Sequence, residues 1–293
     1  MSIHKRTVFT GVATALITPF CENAIDFDAL GRLIEHQISG GVSALLVAGT
    51  TGESATLSDE ELYELIAFSK RTIRDRVPLL AGCGSNCTSH AVQLAEIASE
   101  GGADALLAVT PYYNKASERG LILHYETLAD RAPKPLILYN VPSRTGVRMS
   151  LDVYRALAGH ENIVGVKEAS GDLSLLESLC AECGDRLDVY VGNDDQTVAA
   201  MKMGAVGVIS VYSNVAPREM CEICRLCAAN DFRAASQRQR ANLTRMNALF
   251  KEVNPIPVKY VASLLSLCRA EYRLPLCAPA PDTARMLKSL FLP

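Results

Sequence analysis

Eight short apolar runs recur along the chain at a spacing of about 30 residues, and this pattern restricts the possible folds strongly. Each run is continuously apolar rather than alternating, which is typical of strands buried on both faces of a parallel sheet. The spacing matches one βα unit. The runs are VATALIT at 12–18, ALLVAG at 44–49, VPLLAG at 77–82, ALLAVTPYY at 105–113, PLILYN at 135–140, IVGVK at 163–167, LDVYVGND at 187–194 and VGVISV at 206–211.

Helix signals fill the intervals between these runs. Ser58 followed by Glu61 predicts a capping box, and Asp172 can cap the segment LSLLESLCAE. Eight βα repeats in roughly 230 residues favour a (β/α)8 TIM barrel over an open doubly wound sheet. An open sheet would more often carry a dinucleotide-binding fingerprint after its first strand, and GVATALITPF has none.

The last part of the chain, residues 231–293, contains no strand-like run and reads as helices separated by NPIP and CAPAPD. We therefore predict a barrel domain over 1–230 and a C-terminal helical subdomain over 231–293. No low-complexity linker separates the two, so independent domain motion is not indicated.

Charge and composition restrict the partners. The formal net charge is −3 without a long basic run, so neither nucleic acid nor an anionic membrane is an expected partner. No apolar run approaches the roughly 20 residues that a membrane helix needs. The early segment GVATALI reads as a strand rather than a secretion signal. With ten cysteines in such a sequence, we expect reduced thiols and a cytoplasmic protein.

The cysteines also raise the question of a metal site. Cys180 and Cys183 have CxxC spacing, which Cys221, Cys224 and Cys227 repeat. Both groups fall in predicted helices, and neither has a fitting fourth ligand. Small buried apolar residues are the better interpretation, and we predict no metal site.

Lys167 is the strongest candidate for a catalytic residue, because it ends the apolar run IVGVK. Barrel active sites lie at the carboxyl ends of the strands. Burial among apolar residues disfavours the ammonium form of a lysine, and the free amine can attack a ketone to form an imine. Position alone leaves two alternatives open, an ion pair with Glu168 or a rim carboxylate, and a phosphate-binding role.

Four other polar side chains are predicted at the same rim. Tyr139 ends the neighbouring strand, where its phenol could shuttle protons or simply be a core tyrosine bonded to backbone. Thr50 and Thr51 lie in GTTGES, which could hold a carboxylate or relay a proton, or could be a plain tight turn. Arg144 in VPSRTG could grip a substrate carboxylate, although a lone arginine is usually a surface residue.

Five motifs then occur together in one order, namely GTTGES, TPYYN, YNVPSRTG, GVKEASGD and NPIPVKY. In this order and spacing the chain closely resembles the 4-hydroxy-tetrahydrodipicolinate synthase (dihydrodipicolinate synthase) family of the pyruvate-dependent class I aldolase superfamily. The resemblance covers nearly the whole chain, including the C-terminal helices. Five ordered motifs are far more specific than any one of them.

The resemblance implies the catalytic residues. Lys167 forms a Schiff base with pyruvate, and Tyr139 donates and accepts the proton at that centre. Thr50 links Tyr139 to Tyr113 in a proton relay, with Tyr113 reaching into the site of the neighbouring subunit. A dimer is then the minimum assembly, and the family suggests a homotetramer built from two such dimers.

The resemblance also implies the substrates. Thr51 and the backbone near Ile209 bind pyruvate, and Arg144 receives the carboxylate of L-aspartate 4-semialdehyde. Condensation of the two gives 4-hydroxy-tetrahydrodipicolinate, the first committed step of diaminopimelate and lysine synthesis. The protonated imine withdraws the electrons, so no metal and no organic cofactor is expected.

The chain departs from the family pattern at residues that bind the feedback inhibitor lysine in some members. In lysine-inhibited members of the family a pocket near the subunit interface uses histidines and a glutamate where this chain has Asp59, Leu62 and His90. A leucine offers no side-chain hydrogen bond to an amino-acid effector. We predict weak or absent inhibition by lysine, although Asn86 and Tyr112 fit the inhibited pattern.

Two rival functions share parts of these motifs. N-acetylneuraminate lyase and 2-keto-3-deoxy-sugar-acid aldolases have the same lysine and tyrosine, but the paired threonines of GTTGE and Arg144 of PSRTG argue against a sugar-acid substrate. The other rival, from a different class, is a binding or regulatory protein that kept the barrel and lost turnover. The complete set of relay residues argues against it.

Overall fold

Each of the eight predicted apolar runs overlaps one barrel strand; the strand of the first run begins one residue before it, and that of the sixth ends one residue after it. The computed structural model describes residues 5–292. Its strands are β1 (Gly11–Ala15), β2 (Phe20–Cys21), β3 (Ala24–Ile25), β4 (Ala44–Val47), β5 (Leu79–Gly82), β6 (Ala105–Val109), β7 (Leu136–Asn140), β8 (Ile163–Glu168), β9 (Asp188–Val191) and β10 (Gly207–Ser210). Eight of these, in the order β1-β10-β9-β8-β7-β6-β5-β4, close into a parallel barrel, which confirms the predicted fold class.

Helices connect the barrel strands and continue beyond the last of them. They are α1 (Phe27–Ser39), α2 (Asp59–Ile73), α3 (Thr88–Glu100), α4 (Glu118–Arg131), α5 (Pro142–Thr145), α6 (Leu151–Leu157), α7 (Leu173–Cys183), α8 (Thr197–Lys202), α9 (Pro217–Ala228), α10 (Phe232–Ala248), α11 (Ile256–Leu264) and α12 (Pro281–Phe291). The capping box of Ser58 and Glu61 begins α2, and the carboxylate of Asp172 caps α7, so both predictions are confirmed. Among residues 5–292, no helix is both long and apolar enough to cross a bilayer.

The small hairpin β2–β3 was not predicted, because two-residue strands leave no hydrophobic period. Its turn residues Glu22 and Asn23 have φ of 53° and 64°, as a tight hairpin turn requires. Their backbone N–H groups donate to the carboxylate of Glu271 at 3.1 and 2.6 Å. Glu271, in the C-terminal segment, therefore supplies the hydrogen-bond acceptors for the N–H groups of this turn.

Alternation along the strands produces two separate apolar layers. Side chains such as Val166 and Leu138 pack between barrel and helices. Val164 and Tyr139 point into the barrel interior instead. A register shift between β7 and β8 at Leu136/Ile137 interrupts the alternation of β8 after Val164, so that Val166 faces the helices. Lys167, the next residue, therefore faces the barrel interior.

The C-terminal helices pack on the barrel rather than forming a separate core. The helix α10 lies against α8 and α9, and α12 lies against α10 and α11. The predicted helical character of this segment is confirmed. The boundary between residues 230 and 231 stays a prediction, since α10 begins next to it without an extended linker.

Candidate active site

A cavity of about 460 Å³ opens at the carboxyl ends of the barrel strands. Three of the predicted site residues, Thr50, Tyr139 and Arg144, line it. Asn254 and Tyr112 add polar groups to the same wall. The cavity therefore lies where barrel enzymes carry their active sites.

Lys167 lies directly beside the phenol ring that borders this cavity. Its strand β8 pairs with β7 so that Lys167 is opposite Tyr139. The ammonium nitrogen is 4.4 Å from the centroid of the Tyr139 ring, and the residue is 5% exposed. A Cβ added at Gly192 would lie 3.0 Å from Lys167 Cε, so the neighbouring strand end passes close to the lysine stem.

The alternative of an ion pair between Lys167 and Glu168 is wrong. Glu168 points between barrel and helices, where Tyr154 Oη donates to it at 2.6 Å and Asn140 Nδ2 at 2.9 Å. The backbone N–H of Ser170 donates to its other oxygen at 2.7 Å. Burial, reinforced by the Glu168 charge, raises the pKa of Tyr154 well above its usual value. Within residues 5–292 Lys167 forms no ion pair with any carboxylate.

Tyr139 is 7% exposed and its hydroxyl has no hydrogen-bond partner in the part of the chain that the structure describes. A structural core tyrosine would have its hydroxyl bonded. Thr50 is half-buried on the same cavity wall and is not bonded to Tyr139 here. The phenol is thus held beside the amine and is free to exchange a proton.

Asn254 joins two of the predicted binding residues. Its side-chain Nδ2 donates to Thr51 Oγ1 at 2.9 Å, and its backbone carbonyl oxygen accepts from Arg144 Nη2 at 3.1 Å. The Thr51 hydroxyl hydrogen stays available to a ligand. Among the described residues Arg144 has no carboxylate partner, so its charge is available for a substrate acid. In the sequence NPIP marks a break between helices and forms part of the motif NPIPVKY, and neither observation predicts this role of Asn254.

Four predicted residues, Lys167, Thr51, Tyr113 and Ile209, are not among those that line the cavity, although Lys167 and Thr51 contact residues that do. Tyr113 is 88% exposed and has φ of 74°, a left-handed conformation that is rare for an aromatic residue. Ile209 is fully buried in the barrel interior opposite Ala13, and its side chain belongs to the inner apolar layer. A single chain therefore does not bring Tyr113 to Lys167.

Asp194 is a buried acid near Lys167, and it is not among the predicted site residues. One of its oxygens, Oδ2, accepts from the backbone N–H groups of Val211 and Tyr212 at 3.1 and 2.8 Å. Burial raises the pKa of Asp194, an effect that the positive charge of Lys167 opposes. The signal in the sequence was GNDD at the end of a predicted strand.

The five cysteines with CxxC spacing lie on two helices. Cys180 and Cys183 lie on α7, and the other CxxC series lies on α9. Burial raises the pKa of Cys180 to about 11 and that of Cys227 to about 11. No group of three or more His, Cys, Asp or Glu among residues 5–292 has the arrangement of a metal site.

Comparison with known proteins agrees with this geometry. The model of the dihydrodipicolinate synthetase family matches residues 8–291. A Geobacter metallireducens protein named 4-hydroxy-tetrahydrodipicolinate synthase is 44% identical over 270 residues, which is 92% of this chain and 93% of that protein. The crystal structure of dihydrodipicolinate synthase from Aquifex aeolicus is 42% identical, with a TM-score of 0.94 over 96% of this chain and 97% of the other. A solved monomeric dihydrodipicolinate synthase variant is 36% identical, with a TM-score of 0.95 over 97% of this chain and 96% of the other.

Proposed function

Because the chain belongs to the dihydrodipicolinate synthetase family, we propose that it condenses pyruvate with L-aspartate 4-semialdehyde to give 4-hydroxy-tetrahydrodipicolinate. The protein is a Schiff-base-forming lyase of diaminopimelate and lysine biosynthesis. The observation that carries the proposal is the placement of one buried amine, Lys167, beside one unbonded phenol, Tyr139, next to a cavity.

The first half of the reaction uses the amine. Lys167 Nζ attacks the ketone carbon of pyruvate, and the carbinolamine loses water to give a protonated imine. We assign the proton transfers of these steps to Tyr139, since its side chain lines the cavity and its ring lies beside the amine. The imine then acidifies the pyruvate methyl group, and loss of one proton gives an enamine.

The second half joins the two substrates. The enamine carbon attacks the aldehyde carbon of the semialdehyde, while the aldehyde oxygen takes up a proton. The substrate amine then displaces Lys167 from the imine, which closes the ring and regenerates the free enzyme. We assign Arg144 to the semialdehyde carboxylate, because its guanidinium lines the cavity without an acidic partner among the described residues. Thr51 and the backbone near Ile209 are assigned to the pyruvate carboxylate.

The sugar-acid aldolases are not favoured as an alternative. The relatives that match most of the chain at 40–44% identity carry the synthase name. The two carboxylates on the cavity wall, Glu53 and Asp59, already accept hydrogen bonds from Lys259 and Gln93. The guanidinium of Arg144, in contrast, has no acidic partner among the described residues.

We further propose that the protein acts as a homotetramer made of two dimers. The exposed, left-handed Tyr113 supports this, since a partner subunit would bury its ring. The solved monomeric variant means that family membership alone does not fix the assembly. Sedimentation velocity would measure it, and a monomer with full activity would contradict the proposal.

A complementation experiment tests the role of Tyr113 across the interface. Lys167→Ala and Tyr113→Phe subunits are each expected to be nearly inactive. When they are co-expressed, a mixed dimer contains one site with both native side chains, so activity should return. No recovery in verified mixed dimers would place Tyr113 outside the neighbouring site.

We propose a cytoplasmic location. Its support is that all ten cysteines are free thiols, which fits a reducing compartment.

We also propose that lysine inhibits weakly or not at all. Leu62 on the cavity wall is apolar, and Asp59 already accepts from Gln93 Nε2 at 2.7 Å. His90 Nδ1 is engaged with Ser85 Oγ at 3.0 Å. Inhibition of the purified enzyme by low micromolar lysine would contradict this.

A coupled assay with both substrates tests the overall function. The wild type should form product with pyruvate and L-aspartate 4-semialdehyde, and Lys167→Ala should not. Inactivity of the folded wild type with this pair, or preference for a sugar acid, would overturn the proposed function.

A further inference from the structure

Glu53 and Lys259 form an unusual ion pair beneath the loop that carries the two threonines. Both side chains are 0% exposed, and Lys259 Nζ is 2.6 Å from Glu53 Oε1. Every other ion pair in the part of the chain that the structure describes has at least one partner in contact with solvent. The pair joins positions 206 residues apart, one in the barrel and one in α11.

Two aromatic rings surround the lysine of the pair, and a backbone N–H group binds the glutamate. Lys259 Nζ lies 4.1 Å from the centroid of the Phe20 ring and 5.4 Å from that of Tyr272. The second oxygen of Glu53 accepts from the backbone N–H of Arg273 at 3.3 Å. Burial lowers the pKa of Lys259, an effect that Glu53 opposes.

Fold stability alone gives little reason for such a pair. Removing two charges from water is unfavourable, and apolar residues of similar volume often stabilise a core as well or better. A buried pair is better explained where it fixes one geometry among several. Glu53 has φ of 55°, so the backbone there adopts the left-handed region although the residue is not glycine.

The geometry that the pair fixes is that of the substrate-binding loop. Glu53 lines the cavity and follows Thr50 and Thr51 by three and two residues. Asn254, which precedes Lys259 by five residues, holds Thr51 Oγ1. Two tethers thus run from one short C-terminal stretch to one short loop.

We propose that Glu53 and Lys259 are positioning residues that hold Thr50 and Thr51 in the geometry needed for pyruvate and proton transfer. The C-terminal helices are then part of the active site rather than an attachment to the barrel. This inference rests on the proposed function, because the measured quantities are those of the condensation.

The test separates positioning from stability with a charge-free double variant. In Lys259→Met the charged carboxylate of Glu53 stays buried without its ion-pair partner, so both the thermal midpoint and the activity should fall. In Glu53→Leu/Lys259→Met the buried charges are gone, so the midpoint should return close to that of the wild type. The kcat should remain about tenfold to a hundredfold low, and KM for pyruvate should stay raised, because the loop has lost its tether.

Two further variants complete the design. Glu53→Asp keeps the charge but shortens the tether by one methylene, so it should fold, with lowered kcat. Lys70→Met removes a lysine that pairs with Asp104 far from the cavity, and it should leave kcat and KM unchanged.

Each outcome either supports or overturns the positioning role of Glu53 and Lys259. Wild-type kcat and KM in the folded double variant or in Glu53→Asp would overturn the positioning role. If the double variant does not fold, Glu53→Asp alone decides. A folded but inactive wild type would refute the proposed function instead.

Discussion

At the scale of single residues, two neighbours with opposite orientations determine the chemistry. Lys167 faces the barrel interior, while Glu168 faces the helices and is held by Asn140 and Tyr154. The sequence predicts the buried lysine, because apolar strand residues precede it. It does not predict where Glu168 points, since the apolar run gives no alternation by which to assign faces. Only the folded strand removes the ion-pair alternative.

Tyr139→Phe tests the phenol at this scale. The ring and its contact with Lys167 remain, so the fold should be preserved, whereas kcat should fall about a hundredfold or more because the proton shuttle is lost. Steady-state kinetics and thermal melting measure the two effects. Tyr125→Phe is the control, since its hydroxyl bonds Ala108 O in the core at 3.2 Å, and its loss should lower stability by about 1 kcal/mol without changing kcat. Equal kinetic effects in both variants would refute the role of Tyr139.

Arg144→Lys tests recognition of the second substrate. A lysine keeps the charge but cannot make the two parallel hydrogen bonds of a guanidinium to a carboxylate. We expect KM for L-aspartate 4-semialdehyde to rise about tenfold, corresponding to about 1.4 kcal/mol, while KM for pyruvate changes little. Arg148→Lys is the matched control, because Arg148 pairs with Asp172 on the surface. A rise in the pyruvate KM alone would contradict the assignment.

At the scale of elements, the strands and helices follow from local pattern, whereas the loops between them do not. Continuous apolar runs and capping residues predict β4 and α2, and both form. The loop between them depends on Asn254 and Lys259, which lie more than 200 residues away. No periodicity encodes such contacts, so the tethers of Thr51 and Glu53 could not be predicted. The motif GTTGES predicted only that this loop could bind a carboxylate or relay a proton.

Gly82→Ala tests close approach between two barrel strands. A Cβ at Gly82 would lie 2.0 Å from the carbonyl oxygen of Ala48, so the backbone of β5 or of the following loop must shift. We expect a loss of about 1–3 kcal/mol or more in the free energy of unfolding, with lowered activity. Gly159→Ala, where nothing lies within 4 Å, should be neutral or slightly stabilising. Urea denaturation of both variants provides the comparison, and equal midpoints would refute the steric argument.

At the scale of the whole molecule, the C-terminal segment closes the structure onto the barrel mouth. Its helices were predicted from composition and pattern, but their contribution to the site was not. Glu271 holds the turn of the β2–β3 hairpin, and Arg273 makes a double hydrogen bond to Glu61 on α2 at 2.7 and 2.5 Å. These contacts join distant parts of the chain, so they exist only in the folded molecule. Truncation after residue 230 should therefore abolish folding or activity.

His124 makes the stability of the molecule depend on pH. Burial lowers its pKa to about 4 from the ordinary 6.5. Between these values the unfolded chain binds a proton that the folded chain does not, so the free energy of unfolding falls as the pH decreases. The loss should be about 2 kcal/mol between pH 7 and pH 5, and about 3 kcal/mol below pH 4.

Urea denaturation of the wild type and of His124→Gln at pH 7 and pH 5 measures this contribution. The variant should lose about 2 kcal/mol less over that interval than the wild type does. His160→Gln is the control, because His160 is partly solvent-exposed beside Asp130. An unchanged pH dependence in His124→Gln would show that another group is responsible.

The most direct test of a Schiff base on Lys167 is borohydride reduction in the presence of pyruvate, followed by mass analysis of the peptides. We expect that the wild type gains the mass of one reduced pyruvate on Lys167, that Tyr139→Phe gains it more slowly, and that Lys167→Ala gains none. Absence of the adduct in the folded wild type, or its appearance on another lysine, would contradict the account.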